Sequence, residues 1–181
     1  MTFEPPLILL GGTDIDPVIY GQQPLKWTDK PDTERDDKEL YEIDMAVMHK
    51  RPIIGICRGA QLLCAYNDGS LIQHSVIARP NTGKAVLTTE DGEFVAPVDH
   101  HQIMVPGGNY VLLAEEEIQH VRWTSDTEHH TEDYIPHVIY YPETNSLAVQ
   151  PHPEWDKRGS SFVAWLNNVV IDYLGVKYHV F

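Results

Sequence analysis

Residues 53–59 read Ile-Ile-Gly-Ile-Cys-Arg-Gly, an apolar run that breaks into a cysteine with a glycine two residues to either side. A buried strand that enters a helix through such a turn is a nucleophile elbow, here with sulfur in place of the serine oxygen. We expect a strained backbone at Cys57, and a side chain at Gly55 or Gly59 would collide with the neighbouring strand and helix. The pattern predicts a reactive thiol at a strand-to-helix junction.

The place of Cys57 at the start of a helix also bears on its protonation. Unpaired backbone N–H groups and the helix dipole favour a thiolate over a thiol at such a position. Cys64 lies two turns further along, beside two leucines, and is predicted to be a small buried hydrophobe. Two cysteines seven residues apart match neither a disulfide framework nor a metal-binding knuckle.

Length and composition indicate the broad class. A chain of 181 residues with 42% hydrophobic content suits one domain over residues 1–181. There is no run of about 18 apolar residues and no secretion leader, so we expect neither a membrane span nor export, and the cytoplasm is the expected location. The formal charge of −14 would repel a phosphate backbone, so nucleic acid is not an expected partner.

The first half of the chain alternates strands with helices. Leu7–Leu10 reads as a buried strand that opens into Gly11-Gly12, and Ile53–Ile56 reads as a second strand. This alternation argues for a largely parallel sheet covered by helices. Helices are predicted from Asp32 or Thr33 to Lys50, with Leu40, Ile43, Val47 and Met48 on the buried face, and over Arg58–Tyr66.

The second half is rich in short alternating strands. Lys84–Thr89 and Glu93–Val98 flank Asp91-Gly92, which is a strong hairpin signal. Residues 125–133 read as an exposed loop, and Glu115–Glu117 as a solvated acidic run. Further strands are predicted at Tyr110–Ala114, Gln119–Thr124, His137–Tyr141 and Leu147–Gln150, followed by a helix over Ser160–Leu174 that buries Phe162, Trp165, Leu166, Val169, Val170 and Tyr173.

Three residues supply the groups that a cysteine hydrolase needs. Such an enzyme requires a thiolate, an imidazole that carries a proton to the leaving group, and an acceptor that fixes the imidazole tautomer. Cys57, His152 and Glu154 provide these in order, and in an extended segment residues two apart point to the same side. The backbone N–H of Arg58 and one from the loop 11–13 are candidate donors to a substrate oxyanion. The Arg58 side chain is free to pair with a carboxylate.

Three segments of the chain resemble class I glutamine amidotransferase-like proteins. They are residues 55–61 (Gly-Ile-Cys-Arg-Gly-Ala-Gln), 11–17 (Gly-Gly-Thr-Asp-Ile-Asp-Pro) and 152–155 (His-Pro-Glu-Trp). Within that family the chain is most similar to the γ-glutamyl hydrolase branch, notably the γ-glutamyl-γ-aminobutyrate hydrolases. The resemblance spans residues 7–155. Further matches are Tyr20-Gly21, Glu34-Arg35-Asp36, Gly69-Ser70-Leu71-Ile72-Gln73-His74 and His100-His101-Gln102.

The resemblance implies a flavodoxin-like α/β fold, with a central, mostly parallel sheet and an added β-hairpin region. It implies that small γ-glutamyl amides or glutamine are cleaved through a γ-glutamyl thioester, with no metal or organic cofactor. The site residues that it implies are the triad Cys57, His152 and Glu154, the oxyanion donors Gly12 and Arg58, and substrate contacts at Gln61, His100, His101 and Gln102. For the two histidines, a loop pair that is either exposed or satisfied by its own hydrogen bonds is the alternative.

The chain also departs from the family pattern. Asp68 stands where glycine is usual, and Pro151 stands where a tryptophan usually precedes the histidine. The usual first strand and helix are missing before Gly11, so we expect a trimmed sheet edge or an edge covered by a homodimer or a synthetase partner. So short a member also fits a compact genome such as a bacteriophage, which would place it in the host cytoplasm.

Two other functions remain open from the sequence. One is a glutaminase subunit that delivers ammonia to a separate synthetase. The other is an inactive binding protein that retains the pocket. His129-His130, beside Glu128 and Glu132, is predicted to be ordinary surface polarity rather than a metal site.

Overall fold

The computed structural model describes residues 4–75, 83–117, 123–124, 129–130 and 134–181. Its helices are α1 (Thr33–Met48), α2 (Arg58–Tyr66) and α3 (Ser161–Leu174), with 3-10 helices at Pro17–Tyr20 and Pro153–Trp155. Its strands are β1 (Leu7–Leu9), β2 (Ile53–Ile56), β3 (Ser70–Ile72), β4 (Lys84–Thr89), β5 (Gly92–Pro97), β6 (Ile103–Val105), β7 (Val111–Glu117), β8 (Trp123–Thr124), β9 (His129–His130), β10 (Tyr134–Tyr141) and β11 (Ser146–Val149).

The main sheet has seven strands in the order β1-β2-β11-β10-β7-β4-β5. Strand β2 pairs in parallel with β1 on one side and with β11 on the other. The remaining pairs are antiparallel. The predicted α/β class is confirmed, but the described sheet is mixed rather than mostly parallel. The reason lies in the connections, because a helix joins β1 to β2 whereas short turns join β4 to β5 and β10 to β11.

Helix α1 begins as predicted, because the Asp32 side chain accepts a hydrogen bond from the Arg35 N–H at 3.1 Å. Its buried stripe is Asp36, Glu39, Ile43 and Ala46, at helical spacing. The predicted burial of Met48 is wrong, since this side chain is 64% exposed. The helix turns two of its six acidic residues, Asp36 and Glu39, inward, which rotates Met48 to the outside.

Helix α3 matches its prediction closely. The Ser160 hydroxyl caps its first turn by accepting from the Val163 N–H, and Gly175 ends it in the left-handed conformation with φ 67°. Five of the six residues predicted to be buried on this helix are buried. Tyr173 is the exception, since it is partly exposed and packs against the ring of Tyr140.

The β-rich half differs from the prediction in detail. The β4–β5 hairpin is confirmed, with Thr89 paired to Gly92. Glu115–Glu117 belongs to β7 rather than to a free acidic run. His129–His130 pairs with Trp123–Thr124 where the sequence predicts a loop, while the rest of 118–133 lies outside the described residues. The short pair β3–β6 was not predicted.

The two faces of the sheet carry separate cores. Ile54 and Ile56 of β2 pack on the face that α3 covers, and Ile53 packs on the face that α1 and α2 cover. Cys57 therefore lies where β2 leaves the sheet between two packed layers. No helix in the described part of the chain has the length and apolar character to cross a membrane.

Candidate active site

Cys57 joins β2 to α2 with a backbone conformation of φ 51° and ψ −106°, and its N–H donates to the Val149 carbonyl at 2.8 Å. A Cβ added to Gly55 would lie 2.7 Å from the Ala60 nitrogen, and one added to Gly59 would lie 2.7 Å from the Leu9 Cβ. Both distances are shorter than real Cβ contacts. The predicted strain at the cysteine and the steric need for both glycines are confirmed.

The thiol of Cys57 is 7% exposed, and burial raises its pKa to about 12. The N–H of Arg58 opposes this rise, whereas the negative charges of Glu154, Asp99 and Asp14 add to it. The prediction that the helix N-terminus favours a thiolate is therefore wrong for the resting protein. Desolvation and three nearby carboxylates outweigh the lowering effect of the Arg58 N–H.

His152 and Glu154 lie together, as predicted. The Nδ1–H of His152 donates to the Glu154 carboxylate at 2.7 Å. In the neutral ring, Nε2 then carries a lone pair and can accept a proton. This Nε2 is buried and has no hydrogen-bond partner among the residues described. The 3-10 turn Pro153–Trp155, rather than an extended segment, brings the pair together, and the Trp155 ring stacks on the imidazole at 3.6 Å.

The Gly11-Gly12 loop lies against both halves of this constellation. A Cβ added to Gly11 would lie 3.2 Å from His152 Cε1 and 3.6 Å from Cys57 Cβ. Cys57 and His152 thus approach the same side of the loop, although they are far apart in sequence. A Cβ on Gly12 would collide with the Arg35 guanidinium and lie 3.2 Å from Arg58 Cδ.

The side chain of Arg58 is almost fully buried and pairs with two carboxylates of α1. Its guanidinium donates to Asp36 and to Glu39. Burial raises the pKa of the Asp36 carboxyl, against the lowering effects of the Asp16 N–H and of Arg58. The sequence left open whether Arg58 pairs with a carboxylate, and it did not identify these partners, because the rotation of α1 decides which of its acidic residues face inward.

Arg35 ties the loop to the same group. Its guanidinium donates to the carbonyls of Leu10 at 2.9 Å and Gly11 at 3.3 Å, and to Glu39 at 2.8 Å. The loop is held from its other end as well, where the Asp16 N–H donates to Asp36. One ion-pair network therefore connects the residue after Cys57 with the loop that faces it.

Three of the four predicted substrate contacts belong to a buried polar group. Gln61 donates through Nε2 to Gln150 at 3.3 Å, and the Gln150 N–H donates to the His137 carbonyl. His137 lies edge-on to His100 with ring centroids 5.7 Å apart. His100 donates through Nδ1 to the Gln102 carbonyl at 2.7 Å. We call Gln61, Gln102, His100, His137 and Gln150 the buried polar group.

Several atoms of this group lack hydrogen-bond partners in the described part of the structure: His100 Nε2, His137 Nδ1, Gln150 Nε2 and both side-chain amide atoms of Gln102. Sequence reasoning missed His137 and Gln150. Each sits in or just after a strand of apolar character, and only the pairing of β10 with β11 brings them together.

His101, the fourth predicted contact, points elsewhere. Its Nε2 lies 3.1 Å from Asp14 and its Nδ1 lies 3.0 Å from His74, which stacks on Trp27. Burial and the neighbouring His101 lower the pKa of His74. Asp14, Asp29 and His101 place ligand atoms within 4.8 Å of one another, and they are the described residues whose spacing comes nearest to that of a cation site.

Comparison of the sequence with protein families and with individual proteins identifies relatives of the chain. The model of the family Peptidase C26 matches residues 5–118. A Mycobacterium tuberculosis protein with the provisional name glutamine amidotransferase Rv2859c is 30% identical over 167 residues, which cover 82% of this chain and 50% of that protein. A Lactococcus lactis protein, provisionally named glutamine amidotransferase-like protein YvdE homolog, is 42% identical over 67 residues, or 37% of this chain and 36% of its own. The chain thus spans half or less of the length of these relatives.

Solved structures share the fold. A glutamine amidotransferase from Methylobacillus flagellatus aligns with a TM-score of 0.54 and 14% identity over 93% of this chain and 76% of its own. A Thermoplasma acidophilum protein, provisionally described as part of a GMP synthase, aligns with a TM-score of 0.51 and 17% identity over 86% of this chain and 65% of its own. With the family match over residues 5–118, the chain belongs to the Peptidase C26 family.

Proposed function

We propose that the protein is a cysteine hydrolase that cleaves the γ-amide bond of a small γ-glutamyl compound or of glutamine. The observation that carries this proposal is the 2.7 Å hydrogen bond from His152 to Glu154 beside the Cys57 elbow. It fixes the imidazole as the tautomer whose Nε2 accepts a proton, and this Nε2 is buried and unpartnered within the described residues.

In this reaction the thiol starts protonated, because its pKa is raised to about 12. Proton transfer from Cys57 Sγ to His152 Nε2 accompanies attack of the sulfur on the γ-carbonyl carbon. Glu154 stabilises the imidazolium that forms. The C–N bond then breaks, His152 returns the proton to the departing nitrogen, and a γ-glutamyl thioester remains on the sulfur. Water, activated by His152, releases glutamate and restores the thiol.

Two backbone N–H groups are proposed to stabilise the oxyanion of each tetrahedral intermediate, those of Arg58 and Gly12. Support for the first comes from the Arg58 N–H, which acts on the Cys57 thiol closely enough to lower its pKa. Support for the second comes from the packing of Gly12 against the Arg58 side chain. The Arg35 contacts to the loop carbonyls would hold the second donor in place.

The proposed contacts to the substrate are Gln61, Gln102, His100 and His101. Gln61 follows the nucleophile by one helical turn, and its N–H donates to the Cys57 carbonyl. Gln102 carries a buried amide whose donor and acceptor are both unpartnered in the described structure, which suits a ligand with charged amino and carboxylate groups. The contact at His101 rests on the family resemblance alone, because its ring faces Asp14 and His74 in this structure.

The test is turnover of glutamine, γ-glutamyl-γ-aminobutyrate and a chromogenic γ-glutamyl anilide. We expect at least one substrate to be hydrolysed, with activity lost in Cys57→Ala and retained in Cys64→Ala. The second variant is a matched control, because it removes the other buried thiol of α2 away from the elbow. Equal turnover by the wild type and Cys57→Ala, or none by either, would contradict the proposal.

A second function is favoured by one observation, the exposed edge of the sheet at β1. Ile8 is 41% exposed and Leu10 is 57% exposed, beside an edge strand that pairs only with β2 among the described residues. Such an edge suits a synthetase partner that would receive ammonia, or a second copy of the chain. The Thermoplasma acidophilum neighbour is itself described as one component of a GMP synthase. Light scattering of the active protein decides this point, since a monomer with full glutaminase activity alone would contradict it.

A further inference from the structure

In three buried histidines of this structure, one ring nitrogen is engaged as a hydrogen-bond donor. Each ring donates through one nitrogen to an oxygen that only accepts: His152 Nδ1 to Glu154 at 2.7 Å, His100 Nδ1 to the Gln102 carbonyl at 2.7 Å, and His137 Nε2 to Glu116 at 3.3 Å. In a neutral imidazole the other nitrogen is then an acceptor. All three of these acceptor nitrogens are buried and lack partners among the residues described.

The three rings lie in one region beside the nucleophile. His100 and His137 meet edge to face with centroids 5.7 Å apart. His100 follows Asp99, whose carbonyl lies 3.9 Å from Cys57 Sγ. Burial, then His137, then His152 lower the pKa of His100 to about 3, so this ring stays neutral and its Nε2 stays an acceptor near pH 7.

A ligand that complements this region must donate several hydrogen bonds. A buried acceptor without a partner costs about 1–3 kcal/mol, so a group that satisfies two or three of them at once is favoured. Ammonia and primary amines carry two or three N–H groups on one atom. The carboxylates of Glu116, Glu154 and Asp99 border the region and add a negative field that favours a protonated amine and opposes an anion.

We propose that His100 and His137 form the subsite that receives the amine released when the γ-amide bond breaks. This inference rests on the proposed function and adds the leaving-group side of the site. When the C–N bond breaks, its electron pair stays on nitrogen and the proton on His152 Nε2 moves to that nitrogen. The amine then donates its N–H groups to His100 Nε2 and His137 Nδ1. Its class is ammonia or a small primary amine.

The first experiment uses the wild-type protein alone. Hydrolysis of a γ-glutamyl anilide is followed at constant pH and ionic strength with ammonium, ethylammonium or tetramethylammonium chloride added. We expect ammonium, ethylammonium or both to inhibit at concentrations at least tenfold lower than tetramethylammonium, which has no N–H group. Inhibition by ammonium alone would indicate an ammonia site, and inhibition by both a primary-amine site. Equal inhibition constants for all three cations would overturn the proposal.

The second experiment compares His137→Phe with His49→Phe. The first removes an acceptor but keeps an aromatic ring against His100. The second is a matched control, because His49 is exposed at the far end of α1, next to the start of β2. We expect His137→Phe to lower kcat/KM for a γ-glutamyl amide at least tenfold more than for a γ-glutamyl ester, which releases an alcohol. Ammonium inhibition should weaken in parallel.

The outcomes separate this proposal from the one on which it rests. If the wild type hydrolyses neither ester nor amide, the proposed function fails. If the wild type hydrolyses both and His137→Phe loses both equally, the amine subsite is wrong and the hydrolase stands. If His137→Phe loses its native circular dichroism, the wild-type inhibition series still decides the question.

Discussion

Cys57 holds a buried thiol in a strained backbone conformation with positive φ, and these two properties have opposite consequences for its chemistry. The elbow places Cys57 beside the Gly11-Gly12 loop, and its sulfur lies 3.9 Å from the Asp99 carbonyl. Burial keeps the sulfur protonated, because it raises the pKa to about 12. The cysteine is therefore well placed but not pre-ionised. Under the proposed function, its nucleophilicity comes from proton transfer to His152 during the attack.

The raised pKa predicts how the thiol reacts with a simple alkylating agent. Since the thiolate is the reactive form, the iodoacetamide rate at Cys57 should climb by about tenfold per pH unit from pH 8 towards pH 11. Free cysteine, with its pKa near 9.0, should level off earlier. Peptide mass spectrometry measures the rate at Cys57 separately from the rate at Cys64. A plateau below pH 8 would mean that the thiol is ionised at rest.

Alanine substitutions at the glycines of the elbow and of the loop should differ in their effects on stability and on turnover. Gly59→Ala puts a Cβ against the strand residue Leu9, so we expect it to lower the free energy of unfolding by at least about 1–3 kcal/mol. Gly12→Ala meets mainly the end of the flexible Arg35 side chain, so it should cost less stability but reduce turnover. Urea denaturation and steady-state kinetics of both variants check this. Equal losses of stability would contradict it.

At the scale of elements, the site depends on how α1 and α2 pack against each other. Arg58, at the start of α2, is 1% exposed and pairs with Asp36 and Glu39 of α1. Arg35 of α1 then reaches the carbonyls of the loop after β1. The strand-helix-strand unit thus fixes the loop relative to the nucleophile through buried charges rather than through apolar contacts alone.

Removal of one partner from this buried pair should be costly. Asp36→Ala leaves the Arg58 charge with one carboxylate in the interior, and we expect a loss of about 3–5 kcal/mol in the free energy of unfolding. The matched control is Glu42→Ala, which removes the exposed partner of Lys38 on the same helix and should change stability by less than about 1 kcal/mol. Chemical denaturation of both variants provides the comparison. Similar losses would show that the buried pair does not anchor α1.

The elements that sequence predicted well are those with a local signal. Asp32 and Gly175 mark helix ends through capping, and the residues around Cys57 dictate the elbow through sterics. The elements that it predicted poorly depend on distant packing. Met48 is exposed because α1 turns Asp36 and Glu39 inward, and β3 exists only because β6 pairs with it.

The same division holds for the site. The types of Cys57, His152 and Glu154 follow from the chemistry of a thiol hydrolase, and the structure brings His152 and Glu154 into a hydrogen bond. The protonation of the thiol depends on burial, which no local motif encodes. His137 belongs to the buried polar group only through the ring of His100 and the neighbouring strand end at Gln150, so its sequence context gave no signal.

At the scale of the whole molecule, buried ionisable groups set the alkaline limit of stability. Burial raises the pKa of Cys57 and of Cys64 to about 12, and it raises the pKa of Tyr141 further above its ordinary value. The unfolded chain releases these protons near their ordinary pKa values, whereas the folded chain keeps them. The stabilisation from these protonated groups is therefore fully present below about pH 9, and it is lost as the pH rises above that value.

The slope of the free energy of unfolding against pH in this alkaline range can be predicted. Each buried thiol contributes about 1.4 kcal/mol per pH unit above the pKa of the unfolded chain. Cys64→Ala should lower stability at pH 7, because it opens a small cavity, yet it should make the decline between pH 9 and pH 11 shallower. Denaturation curves at several pH values measure both effects. An unchanged slope would mean that Cys64 titrates in the folded protein as it does in the unfolded one.

The central claim is that Cys57 carries the acyl group, and acid quenching during turnover tests it most directly. The protein is mixed with a γ-glutamyl amide, quenched, digested and analysed by mass spectrometry. We predict one γ-glutamyl group on the peptide that contains Cys57, present in the wild type and in Cys64→Ala and absent in Cys57→Ala. Turnover with the acyl group on any other residue, or with Cys57→Ala still active, would contradict the account.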